Sequence, residues 1–304
     1  MRAIQFTEYG PSTVMHIAEI PEPHAGPDHI RIAVKASGIS PGEIRVRSGA
    51  TKAVMPISFP YRTGFDATGV VDEIGEGVEG VRLGDEVFGW PDFTERGANA
   101  DFAILAAWAP KPAAWSWEEA AGAGGAVETA ARVLDRLAVD AGDTVLVQGA
   151  AGGTGAVIVQ VAVARGATVI GTASPNNHDF LRSLGVTPTT YGPGLVERVH
   201  ELAPDGVDAV IDCAGGALAD LVKLAGDAAR VVSIADLDAA SYGVHLSSGM
   251  SDSLAVHGLT EAVTLAEQGL LRIPVAAAFP FTEVVAAHDF SETRHARGKI
   301  VLLN

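Results

Sequence analysis

Apolar and polar positions along the chain fall into two textures. Up to about residue 115 the apolar runs are short and broken by glycine and proline: AIQF (3–6), MHIAEI (15–20), HIRIAVKASGI (29–39), ATGVVDEIG (67–75), DEVFGW (85–90) and ADFAIL (100–105). Runs of this length with such boundaries predict β-strands. From about residue 119, alanine-rich helical segments alternate with Val/Ile-rich runs, the pattern of a parallel sheet covered by helices. Its strands are placed at 144–148, 167–172, 189–191, 207–212, 230–234 and 244–247. Residues 252–269 then carry Leu254, Leu259, Ala262, Val263 and Ala266 at helical spacing, with Gly269 as the stop. The tail returns to PVAAAFPF (274–281) and a last strand, KIVLLN (299–304). The expected architecture is α/β, with a doubly wound parallel six-stranded sheet over 119–250. A mainly β domain over 1–118 is completed by 251–304.

Length and composition narrow the chemistry. The 304 residues exceed what one hydrophobic core usually supports, which fits two domains. No window is long and apolar enough to span a bilayer, and the segment after Met1 is too short and polar for a signal peptide, so a cytoplasmic protein is expected. With 21 Lys+Arg against 37 Asp+Glu and a net charge of −16, a nucleic-acid partner is not expected, and any anionic ligand must be held locally. Cys213 is the sole cysteine, which removes an intramolecular disulfide and any multi-thiolate zinc site.

The stretch VQGAAGGTGA (147–156) lies between a predicted strand and a predicted helix. Set against G-x-G-x-x-G, its pattern positions are Ala150, Gly152 and Gly155, so the first glycine is replaced. Gly152 would let a pyrophosphate approach the backbone, and Gly155 would let the helix pack on the sheet. The amides of the turn Ala150, Ala151, Gly152, Gly153, Thr154 and Gly155, with the helix dipole, would hold the negative charge. The second strand ends in GTASPNNHDF, with Ala173 and Ser174 where an NAD-binding protein carries an acid for the ribose hydroxyls. A small residue and a hydroxyl would admit a 2′-phosphate. Ser174, Asn177 and His178 offer hydrogen bonds to it, although no Lys or Arg stands among them. NADPH is therefore favoured over NADH.

With these residues placed, the chain resembles the medium-chain dehydrogenase/reductase superfamily, in its zinc-free quinone oxidoreductase (zeta-crystallin-like) branch. The resemblance rests on five segments in order: VKASGISPGEIRVRSG (34–49), TGFDATGVVDEIGEGVEGVRLGDEVFG (63–89), AGDTVLVQGAAGGTGAVIVQVAVARGATVIGTAS (141–174), VDAVIDCAGG (207–216) and RGKIVLLN (297–304). It implies a GroES-like domain completed by the C-terminal tail, a Rossmann domain binding NADPH, and a homodimer, for which the sixth strand could pair with its twin. Zinc-dependent relatives have a cysteine and a histidine where this chain has Ser40 and Phe65, so no catalytic metal is expected. The reaction implied is hydride delivery to an acceptor that is already electrophilic, a quinone or an α,β-unsaturated carbonyl.

Site residues carry over from the resemblance one by one. Relatives often have a tyrosine at Arg45 and another near Thr51, and both are missing here. Arg45 would stabilise a developing oxyanion, or else pair with Glu43 or Asp66. Ser40 and Thr129 complete the catalytic set, Thr129 matching a residue beside the nicotinamide ribose, or otherwise a helix cap. Tyr191 and Arg294 match positions that help hold the 2′-phosphate, and Ser233 and Ile234 positions where the backbone meets nicotinamide. Cys213 falls near the cofactor but reads as a small buried residue. Lys299 is a family signature of structural character. Trp90 and Phe93 either line an aromatic pocket or pack an interface. Two further readings stay open: a reductase of enoyl thioesters or polyketide-like intermediates, and a low-turnover NADPH-binding redox sensor.

Overall fold

A computed structural model describes residues 1–91, 97–249, 251–294 and 296–304. In chain order the elements are β1 (Arg2–Phe6), β2 (His16–Glu19), β3 (Ile30–Ile39), α1 (Pro41–Arg47), β4 (Tyr61–Arg62), β5 (Ala67–Ile74), β6 (Glu86–Trp90), β7 (Phe102–Leu105), β8 (Ala107–Pro110), α2 (Trp117–Ala121), α3 (Gly124–Arg136), β9 (Thr144–Gln148), α4 (Gly155–Ala164), β10 (Thr168–Thr172), α5 (His178–Ser183), β11 (Thr187–Thr189), α6 (Leu195–Leu202), β12 (Ala209–Asp212), α7 (Leu218–Ala225), β13 (Val231–Ser233), β14 (His245–Leu246), α8 (His257–Glu267), β15 (Val275–Pro280), α9 (Val284–Glu292) and β16 (Lys299–Leu303). Two compact units form, Met1–Gly125 with Arg272–Asn304, and Ala126–Leu271. Among the described residues no helix is long and apolar enough to cross a membrane.

The first unit is built on a seven-stranded sheet ordered β15-β16-β3-β5-β6-β8, with β7 pairing β3 off this path, and a small sheet β2-β1-β4. Alternation along β3 buries Ile30, Ile32 and Val34 against Ala67, Val71, Val87 and Leu105. The C-terminal strand β16 runs antiparallel to β3, pairing Ile300 with Ile39 and Leu303 with Ala36. Ile300 and Leu302 join Ile4, Ile39 and α9's Val284 and Ala287 in a core of their own.

The second unit is a six-stranded sheet in the order β11-β10-β9-β12-β13-β14, the 3-2-1-4-5-6 order of a doubly wound nucleotide-binding sheet. Every pairing in it is parallel. Leu146, Ile170 and Val210 pack beneath α6 and α7. Helix α4 is buried on nearly all sides, from Gly155 to Ala162, which explains why its sequence is continuously apolar.

The structure moves three boundaries. The third strand ends at Thr189, so Tyr191 lies in the following loop. Pro188 is tolerated there because β11 is the sheet edge and, among the described residues, pairs only with β10. The helix expected over 252–269 starts only at His257, because residues just before it have other bonds: the Ala255 amide donates to Glu128 and the Asp252 carboxylate accepts from Ser247. That helix falls in the second unit, which extends to Leu271, whereas the sequence places 251–304 with the β domain. The cause is close packing of α8 on α3: a Cβ at Gly258 would stand 2.8 Å from Ala131 Cβ and 2.9 Å from the Val127 carbonyl oxygen.

Candidate functional site

The turn between β9 and α4 carries the densest set of constraints. The Gly149 amide donates to Thr172 Oγ1 (3.1 Å) and the Ala150 amide to the Thr172 carbonyl (3.1 Å), pinning the turn to the neighbouring strand. Gly149 has φ +75°, and a Cβ there would meet Ala214 Cβ at 3.1 Å. The left-handed residue that this turn needs is therefore Gly149, one position ahead of the Ala150 that the spacing template assigns. Gly155 cannot be larger, since its Cβ would lie 2.3 Å from the Gly149 carbonyl oxygen. Gly152 is different. Its nearest atom among the described residues would be that oxygen at 3.4 Å, an ordinary contact, so none of those residues demands a glycine. The amides of Ala151, Gly153 and Thr154 find no acceptor among the described residues. A bare surface with free donors at the start of a ten-residue helix fits an anion such as a pyrophosphate.

At the end of β10, the buried Ala173 donates its amide to the Thr189 carbonyl (3.0 Å). Ser174 precedes a single 3₁₀ turn, and its Oγ accepts from Asn177 Nδ2 (3.3 Å), which leaves the hydroxyl proton free to be donated. His178 Nε2 lies 3.4 Å from the Ala173 carbonyl oxygen. Arg182 pairs with Asp179 (2.6 Å) at the surface. Tyr191 is 60% exposed in the loop after β11. Arg198, on α6, donates to the carbonyls of Pro193 (2.8 Å) and Thr190 (2.8 Å) and braces that loop.

The ends of β12 and β13 are held by one buried carboxylate that the sequence reading did not single out. Asp212 Oδ1 accepts from the amides of Ala214 (3.0 Å) and Gly215 (2.8 Å), and Oδ2 accepts from Ser233 Oγ (2.7 Å). Ser233 Oγ in turn accepts from the amides of Ala235 and Asp236. The Ser233 hydroxyl is thus spent on loop geometry, and the Ile234 amide donates to the Asp212 carbonyl (2.9 Å). Asp236 accepts from the Gly216 amide (2.8 Å), so it links the two loops. Burial and the adjacent Asp212 push the Cys213 thiol well above its usual range, which removes it as a nucleophile.

Thr129 sits in a buried polar network. Its Oγ1 donates to Glu128 Oε2 (3.3 Å) and accepts from Arg132 Nη2 (3.3 Å). Glu128 and Arg132 form a two-point pair at 2.7 and 3.1 Å, and Arg132 reaches Ser247 and Asp252. Burial opposes ionisation of Asp252, but hydrogen bonds from Ser247 and His245, with the Arg132 charge, hold its carboxyl below the usual range.

In the first unit Ser40 is the N-cap of α1. Its Oγ accepts from the Glu43 amide (3.3 Å), and its own amide donates to Glu43 Oε2 (3.4 Å), a reciprocal capping box. Ser40 Oγ and the Phe65 ring flank Gly42, whose Cβ would meet them at 3.4 and 3.2 Å. Arg45, on the last turn of α1, is half-buried. Glu43 also accepts from the Gly64 amide (2.6 Å), while Asp66 is buried with Lys299 at 3.4 Å. Burial, reinforced by Asp66, pushes the Glu43 carboxyl up to about 8. Arg294 follows α9 with φ +58° and donates its amide to the Ser291 carbonyl, so it ends that helix in a left-handed turn. It belongs to the first unit, whereas Ser174 and Tyr191 belong to the second. Trp90 is buried at the end of β6, and Phe93 lies outside the described residues.

Residues 26–143 match the alcohol dehydrogenase GroES-like domain, and residues 189–302 match a family described as zinc-binding dehydrogenase. The chain is 30% identical over 319 residues to the chloroplastic NADPH-dependent alkenal/one oxidoreductase of Arabidopsis thaliana, covering 99% of this chain and 79% of that one. It is 28% identical over 327 residues to the quinone oxidoreductase of Rattus norvegicus, covering 100% and 98%. A solved structure of a mycobacterial protein complexed with NADPH superposes with a TM-score of 0.83 at 26% identity, covering 100% of both chains.

Proposed function

The chain belongs to the medium-chain dehydrogenase/reductase superfamily, and on that premise we propose that it is a metal-independent, NADPH-dependent reductase of quinones or α,β-unsaturated carbonyls. The observation that carries the reading is the turn Gly149–Gly155: a residue that packing does not require to be glycine, next to three amides without acceptors. The bound dinucleotide would supply the hydride, which a conjugated acceptor takes without a Lewis acid. The remaining work falls to the chain's own groups. Ala150, Ala151, Gly152, Gly153, Thr154 and Gly155 would bind the diphosphate. Within the second unit, Ser174, His178 and Tyr191 would hold the 2′-phosphate end, and Cys213, Ser233 and Ile234 would border the nicotinamide through their backbone. Thr129, its hydroxyl oriented by Glu128 and Arg132, would fix the ribose or carboxamide. Arg45 would stabilise the developing oxyanion, and Ser40, whose oxygen caps α1, keeps a proton to donate.

The donor set does not fit the catalytic zinc that one family description names. Ser40 is committed to the helix cap and Phe65 offers only hydrocarbon, and among the described residues no three His, Cys, Asp or Glu side chains form a cluster. We place the protein in the cytoplasm as a homodimer joined through β14, which has a partner, β13, on one side only among the described residues. The test is to mix the purified, chelator-treated protein with NADPH or NADH and a panel of quinones, enals, enones and enoyl thioesters. Loss of reduced-nicotinamide absorbance with quinones or enones, faster with NADPH, is expected. Turnover confined to thioesters would move the substrate class, and tight NADPH binding with no turnover would favour a sensor.

A further inference from the structure

The residues after β10 lack a cation for a 2′-phosphate: the segment Ser174–His178 has none, and the nearby Arg182 is tied to Asp179. The fold supplies one from elsewhere. β10 and β11 leave the sheet side by side, their last cross-strand bond running from the Ala173 amide to the Thr189 carbonyl. The next carbonyl along, Thr190, accepts from Arg198 Nη2 at 2.8 Å, so the guanidinium of α6 stands at the exit of the strand beside Ser174. It also approaches the carbonyls of Tyr191 and Gly192 (3.4 Å each) and bonds that of Pro193 (2.8 Å).

Two features separate Arg198 from an ordinary loop brace. Arg132 and Arg165 each have carboxylates as hydrogen-bond partners, whereas the hydrogen-bond partners of Arg198 among the described residues are all neutral carbonyls. Its Nε is buried with no acceptor among the described residues. A half-buried cation bonded only to neutral carbonyls costs solvation, and an arriving dianion would offset that cost. The loop it braces carries the exposed Tyr191, and Gly192 and Gly194, at φ +82° and +78°, give the loop a shape that few other residues adopt.

We propose that Arg198 is the specificity-determining cation of this protein: it sets the Tyr191 loop and supplies the positive field that selects a 2′-phosphorylated adenosine over an unphosphorylated one. This rests on the NADPH reading above. It acts through the loop and through its charge, as a positioning residue.

The test is calorimetric titration of the full chain with two cofactor fragments, adenosine 2′,5′-bisphosphate and adenosine 5′-monophosphate. The wild type is expected to prefer the bisphosphate by about tenfold or more, the scale of one charge-assisted interaction. Arg198→Gln keeps amide donors for the carbonyls but not the charge, and should bring the preference to within about twofold while leaving monophosphate affinity unchanged. Arg198→Lys keeps the charge and should retain most of the preference. Should the Gln variant fail to fold by circular dichroism, the Lys variant decides alone. The proposal is overturned if Arg198→Gln keeps the preference, if it weakens both nucleotides equally, or if Arg198→Lys loses the preference. Failure of the underlying NADPH reading looks different: the wild type then binds neither nucleotide, or binds the monophosphate as tightly as the bisphosphate before any substitution is made.

Discussion

Gly152 and Gly155 of the nucleotide turn are glycine for different physical reasons, and substitution separates them. Gly155 is fixed by the protein itself, because a Cβ would sit 2.3 Å from a backbone oxygen. Gly155→Ala should destabilise the second unit by at least about 2 kcal/mol, seen as a fall in the thermal midpoint. Gly152 has room for a methyl group and no left-handed φ. Gly152→Ala should change stability by no more than about 0.5 kcal/mol yet weaken NADPH binding by roughly tenfold or more, measured by titration. Both glycines were legible as a spaced pattern. Gly149 was not, because a template counts fixed positions while the backbone needs a positive φ wherever the strand exits. Arg198 was hidden for another reason: it lies twenty-four positions beyond Ser174 in the chain, and only the return of α6 brings it to the loop.

At the level of elements, the strand-and-helix alternation of the second unit follows directly from its periodicity, and the misplaced ends have local causes. Tyr191 reads as a strand residue because aromatic and threonine side chains favour strands, but the edge position and the two glycines beyond it release the chain earlier. Residues 252–256 carry helical spacing, yet Asp252 and Ala255 are bonded to Ser247 and Glu128. A bond to a side chain as distant in sequence as Glu128 leaves no local signature. Asp212 shows the same blindness: at a strand end it reads as polar punctuation, while in the fold it joins two loops through three accepted hydrogen bonds. Removing it would strand two amides and a hydroxyl in a buried site. Asp212→Ala should cost about 3 kcal/mol, lowering the midpoint of the second unit by roughly 5–10 °C in calorimetry, with a parallel loss of NADPH affinity.

For the whole molecule, two buried groups of the first unit should shape the pH dependence of stability. Glu43 is raised from 4.5 to about 8 by burial and by Asp66, so the folded chain keeps a proton that the unfolded chain releases. Its contribution is complete below about pH 4.5 and is lost as pH climbs to about 8. His288 is lowered from 6.5 to about 3, by burial and by Arg47, so its contribution is lost as pH falls from about 6.5 toward 3. The two slopes oppose each other between about pH 4.5 and 6.5, and only that of Glu43 remains from 6.5 to 8. The thermal midpoint of the first unit should therefore decline over that last interval, and Glu43→Gln should remove the decline. The central claim, that a dinucleotide diphosphate rests on bare backbone at 149–155 without help from a metal, is tested most directly by titrating NADPH into chelator-treated protein in a calorimeter. One site per chain is expected, unaffected by the chelator and weakened by about tenfold or more in Gly152→Ala. Absence of binding, restoration only by added zinc, or an unchanged affinity in Gly152→Ala would contradict it.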